Sequence, residues 1–198
     1  MKKSILLLIM AVLSISFSNA QIKSKPAIGL SLSDLSKDPS GESKAQPGIQ
    51  MGGSLNVGNK IFFEPGVFYT AKSTEYITGS GTSTINNKAV IRGLRVPLGI
   101  GVNLLGDGTS LFDVHAGGGV SGFFVLSTGE DIDKDEVESP SWGTYLGVGV
   151  DVWKLFLDVS YEWSLTNLQK DITSIDLGKH RTLYVNVGLK LYIQKKRH

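Results

Sequence analysis

Eleven residues, 155–165, restrict the fold more than any other feature of the chain. Leu155, Leu157, Val159, Tyr161, Trp163 and Leu165 alternate with Phe156, Asp158, Ser160, Glu162 and Ser164. A period of two marks a β-strand, whose successive side chains point to opposite faces. The second set holds two carboxylates, which must be hydrated or paired. The first set is apolar throughout, over the ~9–11 residues that a tilted strand needs to cross a bilayer.

Seven more stretches can be read the same way: 27–35, 48–57, 61–71, 90–104, 111–127, 142–152 and 183–193. The first is short and weakly patterned. In 90–104, Leu94, Val96, Leu98, Ile100, Val102 and Leu104 oppose Arg95, Gly99, Gly101 and Asn103. In 183–193, Leu183, Val185, Val187, Leu189, Leu191 and Ile193 oppose Asn186, Gly188, Lys190 and Tyr192. The polar face is repeatedly Gly or Ser, which implies crowding there, because glycine weakens a strand.

The connections alternate in length. Gly58-Asn59, Gly106-Asp107-Gly108 and Trp153-Lys154 are short, whereas 36–47, 72–88, 128–140 and 167–179 are long and polar. This rhythm belongs to an even-stranded barrel with short periplasmic turns and long extracellular loops. A soluble β-sandwich, the competing fold, predicts no such alternation. The expectation is an all-β, eight-stranded antiparallel up-and-down transmembrane β-barrel in the bacterial outer membrane. Tyr69, Trp142, Trp153, Tyr161, Trp163 and Tyr192 near strand ends suit interfacial girdles.

Residues 1–20 read as a cleaved signal peptide, with Lys2 and Lys3 before an apolar stretch and Ser18-Asn19-Ala20 at the cleavage point. The expected mature domain is 21–198. Its 18 Lys and Arg balance 18 Asp and Glu once Lys2 and Lys3 are removed. A neutral chain gives no electrostatic case for nucleic acid. The absence of cysteine removes disulfides, thiolate metal sites and a catalytic thiol.

Three segments resemble the PorT-like outer-membrane β-barrel proteins of Bacteroidetes. Pro47-Gly48-Ile49 leads through Gly58 to Phe63-Glu64-Pro65-Gly66-Val67-Phe68-Tyr69. Leu94-Arg95-Val96-Pro97-Leu98 is similar to the family's apolar-x-apolar-Pro-Leu strand. Leu157-Asp158-Val159-Ser160-Tyr161, with Leu165-Thr166-Asn167, is similar to its aromatic strand followed by Leu-Thr-Asn. The likeness covers most of the mature chain and implies an outer-membrane barrel. The family's namesake is linked to protein secretion, and most members have no assigned role.

The inward face is expected to carry Glu64, Arg95, Asp113, His115, Asp151, Asp158, Glu162 and Lys190. Eight strands leave no aqueous channel, so these groups read as a charge-paired plug rather than an ion path or a catalytic carboxylate cluster. Arg95 and Glu64, on neighbouring strands, are the first expected pair. Asp113, His115 and Ser121 share a face and would suit a hydrolase, but three common residue types on one strand are weak grounds for catalysis. His180 reads as a surface residue. Residues 130–138 hold six acidic residues without EF-hand spacing and read as a solvated loop rather than a cation site. Residues 78–84 read as a flexible loop tip.

The expected function is a structural or binding barrel without catalysis, cofactor or metal. Its partners would be outer-membrane lipid and, through the loops, a cell-envelope protein. An accessory role in protein secretion and an enzyme at the outer face are the alternatives.

Overall fold

The computed structural model describes residues 21–35, 46–78, 85–127, 139–166 and 180–193. The proposed signal peptide, the acidic segment 130–138 and most of 78–84 lie outside them. Nine β-segments run in chain order: β1 (Ile22–Leu35), β2 (Gln46–Gly58), β3 (Ile61–Thr78), β4 (Ile85–Leu105), β5 (Phe112–Ser127), β6 (Ser141–Val152), β7 (Leu155–Ser164), β8 (His180–Leu189) and β9 (Leu191–Ile193). Each pairs antiparallel with its chain neighbour up to β8. β1 pairs with both β2 and β8, closing the sheet on itself.

The barrel has eight staves, because β8 and β9 are one strand interrupted at Lys190. β1 runs along both in a single register, from Leu35↔His180 through Ala27↔Gly188 to Ile22↔Ile193. The interruption lies opposite Lys25, next to Pro26, which has no N–H to give the ladder. β1 begins at Ile22, five residues before the sequence pattern becomes regular. Residues 22–27 carry Ser24 and Pro26 at outward positions, which hides the alternation.

Closure leaves no core between layers and forces the faces apart. Outward side chains such as Ile28, Leu30, Ile100, Leu146, Val148 and Leu157 are exposed, while the polar set points inward and is buried. On β7 the sequence alternation is the observed one: Phe156 and Glu162 are buried, and Leu155, Leu157 and Trp163 are exposed. Ten residue steps of ~3.3 Å at a tilt of ~40° give an apolar band ~25 Å tall, the height expected of a membrane barrel. The turns at 59–60, 106–111 and 153–154 gather at one end with Gln21 and Ile193.

The ladder of β3 and β4 continues well past its neighbours. Among the described residues, the pairing of β2 with β3 reaches Ala71 and that of β5 with β4 reaches Arg92. The pairing of β3 with β4 runs on from Lys72↔Ile91 to Thr78↔Ile85. Residues 72–78 and 85–88, expected within a long loop, therefore belong to strands.

Candidate functional site in the barrel lumen

All eight inward residues expected from the sequence line the lumen, but their partners differ from those expected. Arg95 opposes Phe68, whereas Glu64 opposes Gly99. That register sets Glu64 and Arg95 four positions apart, ~13 Å along the strand. Arg95 instead holds Glu162 of β7 across the lumen, Nε donating to Oε2 at 2.8 Å with a terminal nitrogen 2.7 Å from the same oxygen. The guanidinium lies 4.1 Å from the ring of Tyr184 and 5.4 Å from that of Tyr145. Glu64 accepts a hydrogen bond from Ser54 at 2.6 Å and lies 3.7 Å from the Lys25 ammonium.

Nearer the turns, Lys190 donates to Asp113 and to Asp151, each at 2.9 Å. Lys25 donates to Asp158 Oδ2 at 2.7 Å and caps the Phe156 ring at 4.3 Å. His115 lies between two aspartates, with Nε2 at 3.0 Å from Asp158 Oδ1 and Nδ1 at 3.8 Å from Asp151 Oδ1. Gly149 opposes His115 on one side and Asp158 on the other. A Cβ at Gly149 would run into both side chains, so the glycine is what lets them meet across it.

The turn end is sealed by backbone. The Gly108 amide donates to Asp113 at 3.0 Å, and its carbonyl accepts from the Tyr192 hydroxyl at 3.3 Å. Gly106 and Gly108 have φ of 74° and 82°, a region that favours glycine. Asp107 holds this turn from outside, accepting from the Thr109 hydroxyl at 2.6 Å and the Thr109 amide at 2.8 Å. These bonds keep its carboxyl at about 2. At the other end Ile91, Phe123 and Val125 form an apolar cluster, with the Lys72 ammonium 4.7 Å from the Phe123 ring.

The hydrolase arrangement is not assembled. Asp113 is engaged by Lys190 and Gly108 rather than by His115. Ser121 lies six positions along β5 from His115, ~20 Å, far beyond the reach of a nucleophile–base pair. Of His180 only the backbone, at the start of β8, is described.

Lys23 and Lys25, 2% exposed each, are lumen groups missing from the sequence expectation. A signal for them existed. The expected inward set held five carboxylates against Arg95 and Lys190 alone. A deficit of three positive charges cannot persist in a narrow lumen. Lys23, Lys25 and Lys72 supply it.

A closed barrel with an apolar exterior and a charged, filled interior defines an outer-membrane β-barrel protein. Residues 5–192 match the family model described as the outer membrane protein beta-barrel domain. The chain belongs to that family, and its place is the bacterial outer membrane. No curated protein matches it. Among solved structures it is similar to Ail, the attachment invasion locus protein of Yersinia pestis, in complex with the heparin analogue sucrose octasulfate. That match has 13% identity and a TM-score of 0.46, covering 86% of this chain and 99% of that one. A second structure of Ail aligns at 14% identity and a TM-score of 0.42, over 85% and 98% of the two chains.

Proposed function

We propose that this is a small outer-membrane barrel of binding or structural type, with a charge-paired plug for a lumen and a contact surface at the loop end. Its apolar belt meets outer-membrane lipid, and it performs no catalysis. The observation that carries the binding reading is the β3–β4 ribbon. Seven rungs, Lys72↔Ile91 to Thr78↔Ile85, extend beyond the last pairings of β3 with β2 and of β4 with β5 among the described residues, a reach of ~23 Å at strand spacing. Paired backbone of that length offers a contact platform for a cell-envelope or extracellular protein. The plug reading rests on the ion pairs that cross the lumen at two levels.

The test is photo-crosslinking from position 76 in intact cells, beside a variant lacking residues 73–90 whose migration remains heat-modifiable. A single protein crosslinked at position 76, which the full barrel captures and the variant without the ribbon does not, is the expected result. Absence of any crosslinked protein sinks the binding reading, and discrete ion conductance by the purified barrel in planar bilayers sinks the plug.

A second reading, accessory to a protein-secretion system, is supported by the PorT-like resemblance of the 94–98 and 157–167 segments. Deleting the gene would then leave secreted proteins inside the cell; unchanged secretion removes this reading.

A further inference from the structure

His115, Asp151 and Asp158 bring metal-ligating side chains from β5, β6 and β7 to one level of the lumen, with one donor atom of each within 4.8 Å of the others. Each aspartate divides its oxygens. Oδ2 of Asp158 faces Lys25 at 2.7 Å and Oδ2 of Asp151 faces Lys190 at 2.9 Å. Both Oδ1 atoms turn to the imidazole. The one from Asp158 lies at hydrogen-bond distance, and the one from Asp151, at 3.8 Å, does not.

Asp151 is 5% exposed, and its Oδ1 has no hydrogen-bond partner among the described residues. A buried carboxylate oxygen left in this way is costly, and it points at the imidazole. A cavity of about 90 Å³, lined by His115, Asp158, Glu64 and Tyr145 among others, opens beside His115 and Asp158. It has room for roughly three waters at ~30 Å³ each. In this half of the lumen four carboxylates (Glu64, Asp113, Asp151 and Asp158) outnumber three ammonium groups (Lys23, Lys25 and Lys190).

We propose that His115, Asp151 and Asp158 bind one divalent transition-metal ion of the Zn²⁺, Co²⁺ or Fe²⁺ type. One imidazole nitrogen and an Oδ1 from each aspartate are the protein ligands, and cavity water completes the shell. One nitrogen with two carboxylate oxygens suits borderline first-row ions better than soft Cu(I) or hard Ca²⁺. The 3.0 Å between Nε2 and Asp158 Oδ1 is a few tenths of an ångström short of the ~3.4 Å that separates two tetrahedral donors at ~2.1 Å from one metal. Asp151 Oδ1 stands nearest the other ring nitrogen, Nδ1, at 3.8 Å, and completes the set by swinging toward Nε2, within the 4.8 Å that spans the three donors. Lys25 and Lys190 remain on the outer oxygens, so the ion pairs survive binding. The ion would staple three adjacent strands.

The barrel is refolded in detergent with Co²⁺, dialysed, and its metal content and cobalt X-ray absorption are measured. The expected result is one ion per barrel, in a nitrogen–oxygen shell containing one imidazole, displaced by Zn²⁺ and raising the thermal midpoint. His115→Gln, checked for heat-modifiable migration, should lose the ion. Wild-type barrel free of metal after dialysis overturns the proposal, as does a shell with two or more imidazoles. Full occupancy in folded His115→Gln does the same. If that variant fails to fold, the imidazole count on the wild-type protein decides.

Discussion

Replacing Glu162 by Gln isolates the ion pair that joins β4 to β7 across the lumen. The side chain keeps its shape and its carbonyl can still accept from Arg95, so what is lost is charge. Opposite charges ~4 Å apart at an effective dielectric of ~20 attract by ~4 kcal/mol. Arg95 is 3% exposed and cannot recover that energy from water. A retained neutral hydrogen bond offsets ~1 kcal/mol, and the Tyr184 and Tyr145 rings are unchanged. The expected loss is therefore ~3 kcal/mol, at the lower edge of the ~3–5 kcal/mol found when one partner of a buried pair is removed. Glu64→Gln should cost ~1 kcal/mol or less, because Lys25 keeps Asp158 at 2.7 Å and Ser54 can still donate. Replacing Arg95 and Glu162 together by Met should restore most of the stability, since well-packed apolar pairs often match buried ion pairs. The assay is reversible urea unfolding in lipid vesicles, followed by emission from the three tryptophans. A cost below ~0.5 kcal/mol for Glu162→Gln would refute the pairing energetics. A larger cost for Glu64→Gln than for Glu162→Gln would restore the Arg95–Glu64 pairing suggested by strand adjacency alone.

Three further outcomes follow from the same geometry. Leu146→Arg, at an outward position midway along β6 and 63% exposed, should cost ~2–4 kcal/mol in vesicles, against ~0–1 kcal/mol for Leu155→Arg at the strand edge; equal costs would mean that the belt is not centred there. Gly108→Val should lower stability by at least ~1–2 kcal/mol, because φ is 82° and the new Cβ would crowd Lys23 Nζ; an unchanged urea midpoint would show that the turn does not seal the barrel. Asp107, held at about 2 against an ordinary 3.8, contributes turn stability that is present above the ordinary value and lost as pH falls through the folded one. The Thr109 amide resonance should therefore titrate with a midpoint near about 2, and a midpoint near the ordinary value would show that those hydrogen bonds do not form.

The amino-acid sequence by itself determined which face of most strands is apolar, because alternation is a local property: one residue decides one face. That was enough for the strand count, the three short turns and the inward placement of the eight residues. It failed in 22–27, where Ser24 and Pro26 at outward positions broke the pattern and concealed Lys23 and Lys25. It also failed in 72–78 and 85–88, where polar residues in strands read as loop. The tertiary structure alone decided the partners. A barrel's shear sets which level of one stave meets which level of another, and shear is the sum of all the registers around the ring. Arg95 therefore reaches Glu162, sixty-seven positions away, rather than Glu64 on the next strand. For the same reason His115 stands between Asp151 and Asp158 instead of beside Asp113, its neighbour two positions away in the chain.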